Sequence, residues 1–254
     1  MHTTRRVYIV GAGPGDPELI TLKGARMLES ADLVLYAGSL VNDKILKFCR
    51  KGCEIMNTAK MTLEEQINAM SAAVDEGRTV VRLHTGDPSL YGAISEQIYK
   101  LKEKNIDFEI VPGVSSLQGA AARLGVEYTV PGGTQTLICT RMSGRTPVPE
   151  AESVELLASH GATLVVFLSA DMSGELASKC IASGLSPDTK AAWIYRATWE
   201  DERMCVTTLK NLSQSMSDAG IVKHALIVVG DCLDRDTTAR SLLYDGGFSH
   251  GCRE

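Results

Sequence analysis

Three glycine-bearing turns carry most of the chemistry legible in the chain. The first, VGAGPGDPE at 10–18, follows an apolar run and sets Gly11, Gly13 and Gly15 at alternate positions ahead of Asp16 and Pro17. The second, VVRLHTGDPSLYG at 80–92, runs an apolar segment into Gly86, Asp87 and Pro88, with Tyr91 and Gly92 behind them. The third, EIVPGVSS at 109–116, ends in Gly113 and two hydroxyls, Ser115 and Ser116. Glycine lets backbone N–H and C=O groups come close to a bound molecule because no Cβ intervenes. A serine after such a turn bonds a polar ligand or caps the next helix. A fourth group is cationic. Arg141 and Arg145 lie in a Gly/Pro-containing loop behind an apolar run, and a guanidinium fork takes carboxylates bidentately; the competing reading is a pair of solvated loop arginines.

The first turn invites comparison with the dinucleotide fingerprint G-x-G-x-x-G, whose third glycine packs helix on strand. Asp16 occupies that third position. A carboxylate there is suited to cap a helix beginning at Pro17, and it repels the pyrophosphate that the helix N-terminus would otherwise hold. The second apolar run has Asp32 at its start and Tyr36 at its end, so no acidic residue stands where a ribose would be held. A nicotinamide site is disfavoured, and a plain tight turn remains the other reading.

The elements that must position these turns alternate. Apolar runs at Val7–Val10, Leu33–Tyr36, Cys53–Met56, Thr79–His84 and Phe108–Val111 predict strands, and helical patterns fall near 17–30, 40–51, 62–76, 90–104 and 115–124. Thr62 and Glu65 have capping-box spacing. Strands separated by helices imply βαβ units and a mainly parallel sheet, whose strands end along one edge, where open α/β sheets bind ligands. Beyond the Pro/Gly punctuation at 111–134 the pattern changes. Runs at 136–140, 163–169, 190–196, 203–208 and 224–229 are interleaved with helices near 150–159, 171–183 and 209–218. TKAAWIYRAT and ERMCVTTL read as antiparallel neighbours, so the second half predicts a mixed sheet. The expected organisation is an N-terminal α/β domain over 1–115, a connecting helix and linker over 116–130, a C-terminal α/β domain over 131–240 and an irregular tail over 241–254.

Composition narrows the function classes. The 254 residues are 44% hydrophobic and 22% charged, with a formal net charge of −5. That suits a folded chain with a sizeable core, and the absence of a basic run argues against nucleic acid as a partner. The N-terminal apolar run of MHTTRRVYIVGAG is too short for a signal peptide or a membrane span, so the default location is cytoplasmic, without membrane association. Seven dispersed cysteines contain no CxxC pair and read as reduced thiols. The histidines have no metal-ligand spacing, and no protein-held metal is expected.

Taken together, the turns resemble one family. VGAGPGDPELITLKG at 10–24 resembles the first signature of the tetrapyrrole (corrin/porphyrin) methylases, and Val80–Gly92 followed by VPG at 111–113 resembles the second. The likeness continues through FLSADM at 167–172, YRAT at 195–198 and HALIVVG at 224–230. LVLYAGSLVN at 33–42 and GGTQTLICTRMSGRTPVPEAES at 132–153 further resemble the branch that methylates C11 of precorrin-4, or its cobalt-containing equivalent, in cobalamin synthesis. The resemblance implies two α/β domains, a mainly parallel five-stranded N-terminal sheet and a mixed C-terminal one, with an active-site cleft between them. It also implies S-adenosyl-L-methionine as cofactor, with S-adenosyl-L-homocysteine as product, an anionic tetrapyrrole substrate and a homodimer.

Carried over residue by residue, the resemblance places Pro14, Gly86, Asp87, Leu90, Tyr91, Ser115 and Ser116 against the cofactor from the first half. From the second half it places Met172 on the adenine side, Tyr195, Arg196 and Ala197 along the pocket, and Ala225 and Leu226 closing it. Met172 read alone is a core residue. Gly13, Tyr36, Ser39, Arg141 and Arg145 are the expected substrate contacts. Methyl transfer from a sulfonium to a ring carbon is an in-line displacement in which positioning is the main task and a dry cleft helps. No general base is assignable; Asp87 is the nearest carboxylate by motif. The alternatives are methylation at C2/C7 of uroporphyrinogen III or at C17 or C20 of a precorrin, a non-tetrapyrrole substrate such as the diphthamide precursor, a nucleotide-dependent oxidoreductase, and a silent module that senses the cofactor.

Overall fold

A computed structural model describes residues 5–234 and Ser241; apart from Ser241, the tail expected over 241–254 lies outside the described residues. The chain divides into two compact units, one of the residues up to Gly119 together with Arg196–Asp201, the other of Ala120–Tyr195 together with the residues from Glu202 onward.

In the first unit five strands form one parallel sheet: β1 (Arg6–Gly11), β2 (Leu33–Tyr36), β3 (Glu54–Asn57), β4 (Val80–His84) and β5 (Asp107–Val111), in the order β3-β2-β4-β1-β5. The central strands are mostly apolar because helices cover both faces, with Arg82 and His84 of β4 as buried polar exceptions. On one face α2 (Leu63–Asp75) and α3 (Ile94–Glu103) pack Ile67, Met70 and Leu101 against Val7, Leu33, Leu35 and Val80. On the other, α1 (Leu22–Ser30) and a 3-10 helix over Asp43–Phe48 pack Leu28 and Ile45 against Val10, Val34, Val81 and Leu83. The Thr62–Glu65 capping box forms as its spacing predicts, with N–H···O distances of 2.7 and 3.2 Å.

Three helical stretches are shorter than the pattern suggests. Asp16 caps only one 3-10 turn, Pro17–Leu19, before Thr21 caps α1 afresh. The stretch at 40–51 holds the six-residue 3-10 helix, capped by Asn42. Helix α3 begins at Ile94 rather than 90, because Tyr91 (φ 55°) and Ala93 (φ 49°) are left-handed and cannot sit inside a right-handed helix.

The second unit holds the mixed sheet: β6 (Leu137–Arg141), β7 (Thr163–Phe167), β8 (Lys190–Tyr195), β9 (Arg203–Thr208) and β10 (Ala225–Val229), ordered β6-β7-β10-β8-β9. Only β6 and β7 run parallel, and β8 and β9 are the antiparallel pair read from the sequence. Helix α4 (Ser116–Leu124) spans the division at Gly119, while α5 (Val154–Ala158), α6 (Ser173–Ala182) and α7 (Leu209–Asp218) belong to the second unit. Leu176, Cys180, Leu212 and Met216 bury against Leu164, Val166, Trp193 and Ile227. The six described cysteines form no disulfide.

Candidate active site

The three glycine turns meet at the carboxyl edge of the parallel sheet. Strands β4 and β5 flank β1, so the turns after them are neighbours. Gly86 N–H donates to Gly13 O (2.9 Å) and Gly13 N–H to Gly86 O (3.3 Å), an antiparallel bridge at the strand ends. A Cβ on Gly11 would stand 2.6 Å from Gly113 Cα, and one on Gly113 would stand 2.2 Å from Gly86 O. Backbone therefore packs directly on backbone. At Gly86 the requirement is different: its φ is +59°, and an added Cβ would meet nothing closer than 3.5 Å. The tight approach expected of a ligand at Gly86 is, at Gly11 and Gly113, an approach of the turns to each other.

Asp87 braces this junction. Its Oδ2 accepts from Gly113 N–H (2.9 Å), and its Oδ1 accepts from Ser89 N–H (2.8 Å) and from the Ser89 hydroxyl. Burial pushes its pKa upward, but the bonds from Ser89 and Gly113 outweigh burial and hold it below the ordinary carboxylate range. A carboxylate so engaged is a poor proton acceptor at neutral pH. Ser115 is buried and its hydroxyl accepts from Leu117 N–H (3.2 Å), capping α4, whose first residue is Ser116. The loop from Gly86 to Ala93 brings Leu90 and the 44% exposed Tyr91 to the same edge.

Pro14 is fixed by residues that the sequence reading passed over. Trp199 Nε1 donates to Pro14 O (3.0 Å), and its ring lies where a Cβ on Gly15 would stand, 2.1 Å from Cδ1. Thr198 Oγ1 accepts from Asp16 N–H (2.9 Å), and Asn42 Nδ2 donates to Gly15 O (2.9 Å). The Arg196 guanidinium stacks 4.7 Å from the Trp199 ring centroid and pairs with Asp201. Arg196 (φ 48°) and Thr198 (φ 70°) are both left-handed, a costly conformation for a β-branched residue that these contacts hold in place. Ala197 between them is buried. Tyr36 ends β2 and its carbonyl accepts from the Thr58 hydroxyl (3.1 Å), while Ser39 is exposed in the loop that follows.

In the second unit the expected residues also share one edge. The register pairs Arg141 with Phe167 and Ala225 with Tyr195, and β10 runs antiparallel to β7 and β8. The ends of β6, β7 and β8 and the start of β10 therefore coincide, and Met172 follows β7 by five residues. Met172 packs partly on the core there, and Leu168, the first residue after β7, is 68% exposed and left-handed. Arg141 shapes its own loop: its guanidinium donates to Met142 O (3.2 Å), Thr146 O (2.9 Å) and Pro147 O (2.8 Å). Arg145 is exposed, with no hydrogen-bond or ion-pair partner among the described residues.

Comparison with known proteins decides what these edges belong to. The model of the tetrapyrrole (corrin/porphyrin) methylases matches residues 6–213. The chain belongs to this family. The cobalt-precorrin-4 C(11)-methyltransferase of Methanocaldococcus jannaschii is 50% identical over 254 residues, covering 100% of this chain and 98% of that one. The solved structure of a cobalamin biosynthetic enzyme, cobalt precorrin-4 methyltransferase, matches with a TM-score of 0.89 at 48% identity, over 91% of this chain and 96% of that one. The uroporphyrin-III C-methyltransferase of Thermus thermophilus, solved with S-adenosyl homocysteine, matches with a TM-score of 0.75 at 28% identity, over 90% and 93%.

Within this tetrapyrrole methylase the turns are thus legible from glycines, and their fastening is not. Thr198 and Trp199 follow the β8 strand pattern without interruption, and only their distant partners, Asp16 and Pro14, reveal what they do. Asn42 read as a residue within a helix, yet it both caps the 3-10 helix and holds the first turn.

Proposed function

We propose that the chain transfers a methyl group from S-adenosylmethionine to C11 of precorrin-4 in its cobalt-containing form, within cobalamin biosynthesis. The observation that carries this reading is end-to-end identity of 50% with a relative of that name, and the 48% identical structure has the same substrate in its name. The cofactor assignment draws on the family and on the Thermus thermophilus enzyme, which was solved with the demethylated cofactor. The residues suit such a molecule: Leu168, Met172 and Tyr195 offer apolar surface to a flat ring, and polar turns offer backbone groups to its charged ends.

S-adenosylmethionine supplies a methyl group already activated by a sulfonium. What the protein adds is position. Under this proposal Gly86, Asp87, Leu90 and Tyr91 border the cofactor from the second turn, Pro14 from the first, and Ser115 and Ser116 from the third. Met172, Tyr195, Arg196, Ala197, Ala225 and Leu226 complete the set. Asp87 acts by locking Gly113 to the second turn, not by moving a proton. Gly13, Tyr36 and Ser39 face the macrocycle. The two arginines divide their labour: Arg141 holds the loop in shape, and Arg145 is free to take a carboxylate arm. The domain limits at 115 and 130 rest on the Pro/Gly punctuation at 111–134, and the homodimer and the cytoplasmic location complete the proposal on the strength of the family resemblance. No described helix is long and apolar enough to cross a membrane, and size-exclusion chromatography with light scattering reads the oligomeric state.

The test is turnover. The protein incubated with S-adenosylmethionine and enzymatically made cobalt-precorrin-4 should yield a product heavier by one methyl, with one equivalent of S-adenosylhomocysteine. Turnover of precorrin-4 alone, with none of the cobalt form, would move the substrate to the metal-free series. Tight NAD(P) binding without response to S-adenosylhomocysteine would sink the methylase reading.

A further inference from the structure

Strand β4 carries a buried cation, Arg82, outside the residues placed against cofactor and substrate. Arg82 is 5% exposed, and among the described residues no acidic side chain pairs with it. Its Nη1 donates to the carbonyls of Leu35 (3.3 Å) and Leu83 (3.1 Å), the penultimate residues of β2 and β4. The guanidinium is therefore tied to the carboxyl edge of the sheet, the edge that carries the glycine turns. Its Nε is enclosed without a partner, and Nη2 makes no hydrogen bond to the protein. Those two nitrogens form the side-on edge of the group, two parallel donors spaced like the oxygens of a carboxylate.

The neighbours extend the anomaly. His84, two residues along β4, faces the same side of the sheet and is also 5% exposed, with Nε2 unpartnered. It neighbours Gln97 of α3, which is also buried and whose Oε1 has no hydrogen-bond partner. Burial lowers the Arg82 pKa to about 10, and burial with the nearby Arg82 charge lowers His84 to about 3. At neutral pH the cluster thus carries the single positive charge of Arg82. Buried polar atoms are satisfied in the great majority of cases, and an unpaired buried charge is strongly disfavoured. The unpartnered donors Nε and Nη2 on this one buried cation point to an absent anion.

We propose that the Nε–Nη2 edge of Arg82 is a binding site for a carboxylate that enters from the carboxyl edge of the first sheet. Two molecules in the proposed reaction carry that group: the substrate, with its acetate and propionate arms, and the cofactor, with its amino-acid carboxylate. Only this choice of donors rests on the proposed function. The site itself rests on the geometry of Arg82.

The conservative variant R82K keeps the charge and removes the fork. Three measurements on wild type and R82K decide the matter: the melting temperature against rising propionate with chloride as control, the Kd for S-adenosylhomocysteine, and the Kd for uroporphyrin III as a stable polycarboxylate stand-in. The site predicts that propionate raises the wild-type melting temperature in a saturable way and leaves R82K unmoved. A substrate arm at Arg82 weakens uroporphyrin III binding at least about tenfold, the scale of one charge-assisted pair, with S-adenosylhomocysteine unchanged; the reverse pattern assigns the cofactor carboxylate. Equal responses of both proteins to all three ligands overturn the site. Should R82K fail to fold, wild type alone still decides, because propionate acting no better than chloride overturns it. Absence of methylation would count against the reaction and leave the propionate result, which needs no turnover, standing.

Discussion

Replacing Gly113 by alanine tests whether the three turns form one interlocked unit. The added Cβ would lie 2.2 Å from Gly86 O, 2.8 Å from Gly11 Cα and 2.9 Å from Gly11 C. A carbon-to-oxygen contact settles near about 3.3 Å, so backbone must move by about 1 Å. Every atom in the way is backbone, and no side chain can rotate aside. The shift strains the Gly113–Asp87 bond on one side and the Gly13–Gly86 bridge on the other. Overpacking costs about 1–3 kcal/mol, and a hydrogen bond to a charged acceptor about 1.5–3 kcal/mol. Allowing for partial relaxation, the expected loss is about 3–5 kcal/mol, near 10 °C in Tm for a chain of this size. Gly125→Ala is the control: its φ is +67° with nothing within 4 Å, so only left-handed strain of about 1–2 kcal/mol applies. Urea denaturation and calorimetric titration with S-adenosylhomocysteine read both variants. G113A within 1 kcal/mol of wild type by this bookkeeping, with unchanged affinity, would refute the interlock.

Further outcomes follow from other contacts. Trp199→Phe keeps a ring over Gly15 but removes the bond to Pro14 O, so S-adenosylhomocysteine affinity should drop while the fold survives; unchanged affinity would show that Pro14 needs no such anchor. Arg145→Ala should raise the KM for the tetrapyrrole with cofactor affinity intact, whereas Arg141→Ala should also loosen the loop at 142–147, seen as faster proteolysis there. For Asp87 the folded pKa is depressed. Its stabilising contribution is therefore fully present above about pH 4, the unfolded value, and is lost as pH falls through the lower folded value. The stability gap between wild type and D87N should close in acid, and a gap that persists there would contradict the brace. His84 titrates at about 3 when folded and near 6.5 when unfolded, so the unfolded chain binds the extra proton between these values. Wild-type stability should fall as pH drops across that window, and His84→Gln should flatten the slope.

The fold was largely legible because its strands are apolar and its turns are marked by glycine and proline. The parallel order of the first half follows from the βαβ rhythm, and the β8–β9 pairing from two adjacent β-rich runs. Helix limits were less legible where caps and left-handed residues intervene: Thr21 restarts a helix that periodicity would run on from Pro17, and Tyr91 and Ala93 delay another. At the site, the glycines were visible but their purpose was not, since Gly11 and Gly113 pack on each other's turns. Trp199 and Thr198 were invisible because their partners lie more than 180 residues away. Arg82 was hidden inside an apolar strand, where one cation among valines and leucines gives no periodic signal.

The central claim is the site of methylation. Cobalt-precorrin-4 turned over with S-adenosylmethionine carrying a 13C methyl group, followed by carbon NMR of the isolated product, reads it directly. The proposed function predicts a single enriched methyl resonance coupled to C11. Enrichment at any other ring carbon, or a product without label, would contradict it.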